Sequence, residues 1–363
     1  MARRSYLLVV VAAAGVLFAT AVSAQAAAVQ IGSTSDIYDV SVTGGSVYWT
    51  NPETVNRVDI ATGAASVIYR APRYFSVTDV EADGGTVVLS SQGFRGRYIV
   101  TNNYIYSPAT NALRRVATGR LRITGAFDLC GSRVMWGRVK PNGDALMIKN
   151  SASTSRKRCK KPISVRTIIS TVSPNSGQTL LDTDLARGGS LQRIGLPQDA
   201  DLAGSRLLLT GNGVGVYDLT NKGFTVVAAG PRYGDQLAQV DPAGDVLVTD
   251  YFDRPYKTVT RLFDALSGYS APIVLEPKSP RINYFVCGDY LARANFDEKR
   301  GQISGVTVLP NPLIPQGLVG STPQPELQQS LWSVGCDATT LAWVTSPYND
   351  RGESLFVAPL AGP

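Results

Sequence analysis

The sequence predicts an all-β propeller of seven four-stranded sheets, with six as the alternative. Three observations carry that expectation. Helical periodicity is nearly absent, and short runs of Val, Ile, Leu, Thr, Tyr and Trp alternate with turns built from Gly, Asn, Asp and Pro. A two-strand unit recurs along the whole chain. The composition is that of a folded domain: 44% of the 363 residues are hydrophobic and only 17% are charged, against roughly 25% charged in an average soluble domain.

Each unit pairs an apolar strand with a second strand across a small or acidic turn. The first is Tyr38 to Val42, a Gly44-Gly45 turn, then Val47-Tyr48-Trp49-Thr50. The second is Thr78 to Ala82, Asp83-Gly84-Gly85, then Val87-Val88-Leu89-Ser90. The third joins Phe127-Asp128-Leu129-Cys130 to Val134-Met135-Trp136, and the fourth joins Ala200-Asp201-Leu202-Ala203 to Leu207-Leu208-Leu209. The fifth runs from Ala238 to Val248, the sixth from Tyr284 to Arg293, and the seventh from Trp332 to Val344. Anchor residues Val40, Val80, Leu129, Leu202, Val240, Val286 and Val334 are separated by 40, 49, 73, 38, 46 and 48 residues. All but the third interval match the ~40–50 residues of a four-stranded propeller repeat.

Hairpins complete the units. They centre on Thr62-Gly63, Thr110-Asn111, Asn221-Lys222-Gly223 and Ser267-Gly268. The seventh unit has only three strands, so Ala28 to Ile31 is expected to supply its fourth and clasp the two termini together. The long third interval carries a basic insertion around residues 150–200. Within it, Val165 to Ser170 reads either as that unit's outermost strand or as its third strand after an excursion.

Residues 1–26 read as a signal peptide, leaving residues 27–363 as one domain. Arg3 and Arg4 precede an apolar run from Leu7 to Val22, and small residues offer cleavage after Ala24 or Ala26. The run falls short of the ~20 residues that span a bilayer, so no stable membrane insertion is expected. The short basic region suits the general secretory route better than twin-arginine export, and the expected location is extracellular. Without Arg3 and Arg4 the chain holds 33 basic against 28 acidic residues, a mild net +5. That charge fits an anionic ligand without demanding nucleic acid. Four cysteines in an exported chain suggest disulfides. Three pairings can be drawn, and proximity favours Cys130–Cys159 with Cys287–Cys336.

Val47-Tyr48-Trp49-Thr50-Asn51, followed by Arg57 to Ile60 and Thr62-Gly63, resembles a repeat of the YWTD-type and TolB-like propellers. Trp136 and Trp343 hold the place of Trp49 in their own units, and Leu89, Leu209 and Val248 hold it elsewhere. The resemblance implies the fold and a habit of binding proteins or extracellular ligands. Asn51 stands where the motif has Asp, and those families have six blades. Ser173 to Leu180 similarly resembles the Asp-box turn of sialidase-type propellers, with Asn175 and Leu180 replacing its Asp and Trp. That box is a structural turn, so it too implies only fold.

The chain has no histidine, which excludes Ser-His-Asp and Cys-His catalysis and every metal site that needs imidazole. No cofactor fingerprint, calcium loop or nucleophile motif is present in the sequence. Two close carboxylate pairs, Asp182/Asp184 and Asp199/Asp201, read as exposed residues in the polar connection before the fourth unit. The densest charge run, Arg156, Lys157, Arg158, Lys160 and Lys161, is the candidate ligand-binding patch. It lacks interleaved aromatics, which argues against single-stranded nucleic acid. The leading expectation is a secreted, monomeric, non-catalytic propeller that binds a protein or glycan and needs no cofactor. The rival is an extracellular carbohydrate hydrolase or lyase using channel carboxylates and Tyr. A map of the central channel discriminates between them.

Overall fold

The computed structural model describes residues 29–34, 37–123, 129–130, 133–139, 143–153, 164–172, 179–184, 194, 199–230, 236–241, 243–253, 256–279, 283–287, 290–297, 302–310, 312, 322–323, 330–337, 339–346 and 353–360. The described chain is a β-propeller. Its strands form seven antiparallel sheets.

The chain enters through β1 (Val29–Thr34), which belongs to the last sheet. Sheet 1 is then β2 (Asp39–Thr43), β3 (Ser46–Thr50), β4 (Thr54–Asp59) and β5 (Ala65–Arg70). Sheet 2 is β6 (Phe75–Asp83), β7 (Thr86–Arg95), β8 (Tyr98–Ser107) and β9 (Ala112–Ile123), with β10 (Leu129–Cys130) added at its outer edge. Sheet 3 is β11 (Arg133–Val139), β12 (Ala145–Ser153), β13 (Ser164–Val172) and β14 (Thr179–Asp184). Sheet 4 is β15 (Asp199–Ala203), β16 (Arg206–Thr210), β17 (Gly213–Asp218) and β18 (Phe224–Ala229). Sheet 5 is β19 (Gln236–Val240), β20 (Val246–Asp253), β21 (Tyr256–Phe263) and β22 (Ile273–Ser279). Sheet 6 is β23 (Asn283–Cys287), β24 (Tyr290–Asp297), β25 (Gln302–Pro310) and β26 (Thr322–Pro323). Sheet 7 is β27 (Ser330–Cys336), β28 (Thr340–Ser346), β29 (Glu353–Pro359) and β1.

Among the described strands of sheets 1 and 4 the middle ones are the most buried. In β2, Val40 and Val42 are buried and alternate with half-buried polar residues. In β17 all six residues are buried, because neighbouring sheets cover both of its faces. The outer strand β5 is mostly exposed. The apolar core is divided among the junctions between sheets. Tyr48, Val55, Val80 and Leu89 join sheets 1 and 2, and Val88, Ile105 and Met147 join sheets 2 and 3. Corresponding clusters fill the next four junctions. A seventh cluster, with Val40, Val42, Ala342 and Leu355, joins the last sheet back to the first.

The outer hairpins fall where the turn chemistry places them. Asp59 accepts the amide of Thr62, Asp218 that of Thr220 and Asp264 that of Leu266, while Gly63, Asn111, Lys222 and Gly268 take left-handed backbone. In the long third interval, β13 is the third strand of its sheet, which settles that open reading. One expectation is corrected. Leu129 and Cys130, read as the third unit's first strand, pair instead with Ile123 and Arg122 of β9. The twelve-residue β9 runs on past its hairpin and offers an edge that captures them, leaving β11 to begin sheet 3.

Two features bring the chain's ends together. Val29 of β1 pairs with Val357 of β29, and the ladder continues to Thr34 opposite Glu353. The carboxylate of Glu353 also accepts the amide of Ile37, just before sheet 1 begins. Nearer the axis, Gly335 lies against β2. A methyl group there would collide with the Val40 carbonyl, standing 2.8 Å from its carbon and 3.1 Å from Ser41 Cα. Overpacking against backbone costs about 1–3 kcal/mol, so Gly335→Ala should lower the thermal unfolding midpoint by several degrees. An alanine at position 45, in the exposed turn between β2 and β3, would test left-handed strain instead, since nothing lies near the added methyl there.

Candidate functional site: the channel-lining strands

The first strands of the sheets pack against one another around the axis, β2 touching both β6 and β27, and β19 touching both β15 and β23. These strands line the channel, where a propeller carries chemistry if it has any. Because the sheets splay outward from here, backbone amides on the inner strands face the neighbouring sheet and need acceptors.

Side chains supply those acceptors in a repeating manner. Asp39 accepts Val40 N–H on Oδ1 at 3.0 Å and reaches across to accept Val80 N–H on Oδ2 at 2.9 Å. Ser41, two residues on, accepts Ala82 N–H at 2.9 Å. Asp201 does the same between sheets 4 and 5, accepting Leu202 N–H at 2.8 Å and Val240 N–H at 2.9 Å. Between sheets 5 and 6 the acceptor is Gln239, whose Oε1 takes Val286 N–H at 2.8 Å. Between sheets 6 and 7 the link is covalent: Cys287 and Cys336 form a disulfide with Cα atoms 5.4 Å apart. Sequence reasoning passed over Asp39 and Gln239, although the signal was present. A polar acceptor precedes the apolar anchor in Asp39-Val40, Asp79-Val80, Asp201-Leu202 and Gln239-Val240.

The electrostatics of this lining are acidic. Burial, then the charge of Asp79, pushes the Asp39 carboxyl well above its ordinary range, and Glu81 adds to the effect. The Val80 amide opposes them, and Asp39 and Asp79 share a hydrogen bond. The negative charge of Asp79 thus disfavours ionisation of Asp39. A hydrogen-bonded pair is closer than the roughly 5–9.5 Å separations of glycosidase carboxyl pairs. At the opposite end of β19, Asp241 is buried and accepts the amides of Gly244 and Asp245 at 2.9 and 2.8 Å. Burial is the main reason its pKa rises to about 6, with the charge of Asp245 contributing.

The sequence-predicted residues divide as follows. Asp182 and Asp184 lie on β14, the outermost strand of sheet 3. The other pair is corrected in its place in the fold: Asp199 and Asp201 lie on β15, an inner strand at the axis and not a connection, with Asp199 exposed as expected and Asp201 half-buried. The strand begins at Asp199 because its backbone already pairs with Thr210. Arg156, Lys157, Arg158, Lys160 and Lys161 lie outside the described residues, as does Cys159; the backbone of Cys130 is described and its side chain is not. Trp343 is fully buried and stacks on Phe356 with ring centroids 5.8 Å apart, and Leu89, Leu209 and Val248 are equally buried in the same register. That position serves packing between sheets. Asn51 caps a turn, accepting the amides of Glu53 and Thr54 at 2.9 and 2.7 Å. Among the described residues no cluster of three or more Asp, Glu or Cys is arranged to hold a metal ion.

No protein-family model matches the sequence, and no curated protein matches it. Solved structures match the fold. The β-propeller domain of the trilobed protease from Pyrococcus furiosus, described as having an open velcro topology, superposes with a TM-score of 0.56 at 7% identity, covering 90% of this chain and 96% of that one. An oligogalacturonate lyase in complex with manganese superposes with a TM-score of 0.53 at 9% identity, covering 94% of each chain. TolB from Acinetobacter baumannii matches with a TM-score of 0.41 at 10% identity over 90% of this chain and 63% of that one. What the first two likenesses show is the propeller fold.

Three outcomes are expected. Asp201→Ala should cost about 1–2 kcal/mol by orphaning the Val240 amide, whereas Asp201→Asn should recover most of it, as Gln239 already serves at the next junction. Chemical denaturation of the two variants checks this. Replacing both Cys287 and Cys336 by Ser should cost about 2–4 kcal/mol, since the bridge closes a loop across 49 residues. The third concerns pH. Asp241 binds its proton more tightly folded than unfolded, so its contribution is present below its ordinary pKa and is lost as pH rises through about 6. Asp241→Asn should therefore remove a decline in stability between pH 4 and 7 amounting to at most about 3 kcal/mol, as measured by denaturation across that range.

Proposed function

We propose that this chain is an exported, non-catalytic binding propeller, its seven sheets forming the blades of one ring with β1 as the closing strand. The observation that carries the reading is how the channel acids are used. Asp39 and Asp201 spend both carboxylate oxygens on backbone amides, one of them across a junction between sheets. Gln239 fills the role of Asp201 at the same place in its hairpin without an ionisable group, so that position calls for an acceptor and not for an acid. The charges acting on Asp39 are those of Asp79 and Glu81, both negative. A channel of that sign, with its carboxyl pair in direct contact, suits neither an acidic sugar substrate nor a two-carboxylate hydrolysis. The rival reading, a carbohydrate hydrolase or lyase, keeps one supporting observation, the raised pKa of Asp39.

Two measurements test the proposal. The chain expressed with its leader in a secreting host should be recovered outside the cell, with its N-terminus at Gln25 or Ala27. That protein should turn over none of a panel of neutral and acidic polysaccharides. Turnover that disappears in Asp79→Asn, with folding intact by circular dichroism, would overturn the non-catalytic reading. Retention of the uncleaved leader inside the cell would overturn export.

A further inference from the structure

Sheet 2 outruns sheet 1 in length. Its strands β7 and β8 have ten residues each, against five in β3 of sheet 1. The additional pairs run from Ser91 opposite Asn102 to Arg95 opposite Tyr98. At ~3.3 Å per residue they carry the sheet about 16 Å past the end of its neighbour. Val87 and Leu89 of β7 pack against sheet 1, so Gly93 and Arg95, in the same alternation, face the same way.

That face is a wall of arginines laid on aromatic rings. In one row Phe75 is opposite Gly93, Gly93 opposite Val100, and Val100 opposite Arg120. In the next row Arg95 is opposite Tyr98. The Arg95 guanidinium lies 5.6 Å from the Phe75 ring centre, and that of Arg120 lies 3.7 Å from the Tyr98 ring. Gly93 is required by this arrangement. A Cβ there would meet the Tyr74 carbonyl oxygen and stand only 2.7 Å from two atoms of the Phe75 ring.

At the foot of the wall is the loop from sheet 1, held by backbone bonds. Ala71 N–H donates to the Glu53 carbonyl at 2.7 Å, Phe75 N–H to Pro72 at 2.9 Å, and Val77 N–H to Pro52 at 2.9 Å. Within this fixed loop Tyr74 sits at φ 70°, a conformation costly for any residue with a Cβ, and its side chain points out with 71% of the residue exposed. Arg73 lies 4.8 Å from its ring centre. The four segments that meet here, 51–54, 70–76, 92–98 and 118–122, contain Arg70, Arg73, Arg95, Arg97, Arg120 and Arg122, no lysine, and a single carboxylate, Glu53.

We propose that this face of sheet 2 is the ligand site of the protein and that its ligand is an acidic polysaccharide; the proposal rests on the binding-propeller reading and names its ligand class. Arginine used to the exclusion of lysine suits planar oxyanions, because a guanidinium laid on a ring still directs its in-plane N–H groups outward in pairs. The Phe75 and Tyr98 rings already seat arginines and Tyr74 alone stands out, so there is no succession of free faces for stacked bases, which disfavours single-stranded nucleic acid. A one-sign wall without an apolar pocket lacks the central anchor of a protein interface. A linear polymer bearing a carboxylate or sulfate on successive sugars supplies what remains. The acidic channel lining repels the same polymer and keeps it on the rim.

The test is titration calorimetry of the mature protein with polygalacturonate and, separately, with heparin, at low and moderate salt. The two polymers distinguish carboxylate from sulfate as the preferred group. Binding of at least one, weakening with salt, is expected, and R95Q/R120Q should lose roughly tenfold or more in affinity. R95K/R120K keeps the charge and should fall between them. K222Q removes an exposed charge from the outer hairpin of sheet 4, away from this face, and should bind as the unaltered protein does. A loss per charge removed as large in K222Q as in R95Q/R120Q would overturn the proposal in favour of diffuse charge attraction. Tighter binding of an oligothymidylate, with the same dependence on Arg95 and Arg120, would overturn it in favour of nucleic acid. Absence of binding to both polysaccharides would overturn it too, while leaving the non-catalytic reading to its own turnover assay. Cleavage of the polymer would sink that reading and leave the site to be judged by the R95Q/R120Q result.

Discussion

The structure depends on satisfying backbone amides where the sheets converge. At the axis the inner strands of neighbouring sheets approach without sharing a ladder, so each N–H that faces across a junction has no strand partner. A buried amide left in that state costs about 1–3 kcal/mol, and a ring repeats the situation at every junction. This protein answers with one residue placed before the apolar anchor of the inner strand. Asp39, Asp201 and Gln239 each accept an amide of the next sheet, and the Cys287–Cys336 bridge takes over at the following junction. Once the inner strands are fixed in register, the middle strands inherit their places, and apolar clusters form between every consecutive pair of sheets.

That constraint also decides how the channel can be used. Acidic groups at a propeller axis invite a catalytic reading, and Asp39 with its raised pKa invites it most strongly. The hydrogen bonds argue otherwise, because an oxygen committed to a backbone amide is poorly placed to move a proton to a substrate. Function is then sought on the rim, where sheet 2 departs from the repeat. Regular sheets are the consequence of packing; an extended sheet with a strained tyrosine at its foot is not demanded by packing at all.

Much of this was legible in the sequence because the repeat is written in residues with few alternatives. Val40-Ser41-Val42 followed by Gly44-Gly45 and Val47-Tyr48 can form little but a hairpin with one covered face. Thr62-Gly63 and Asn221-Lys222-Gly223 mark their turns through left-handed backbone at Gly63 and Lys222. The failures have physical causes. Leu129-Cys130 has the pattern of an inner strand, yet pattern alone cannot say which edge captures two residues, and the long β9 was nearer. Asp199 and Asp201 were placed on the rim because acidic residues favour water; the amide of Val240 outweighs that preference. The arginine wall is hidden in the sequence because Arg95 and Arg120 are scattered along the chain and only strand pairing brings them together.

The pairing of β1 with β29 has a consequence for assembly. Six of the seven junctions join sheets adjacent in sequence, so they can form one after another by closing loops of modest length. The seventh joins residues as distant as Val40 and Leu355, beside the β1–β29 ladder, and must wait for all the others. Until it forms, the chain is an open arc with an apolar face at each end, Val40 and Val42 on one and Ala342 and Leu355 on the other. Those faces are complementary, and a second arc presents the same pair. Closure within one chain therefore competes with exchange between chains, and the competition is set by protein concentration: crowded refolding favours swapped dimers and longer chains of arcs, and dilute refolding favours the single ring.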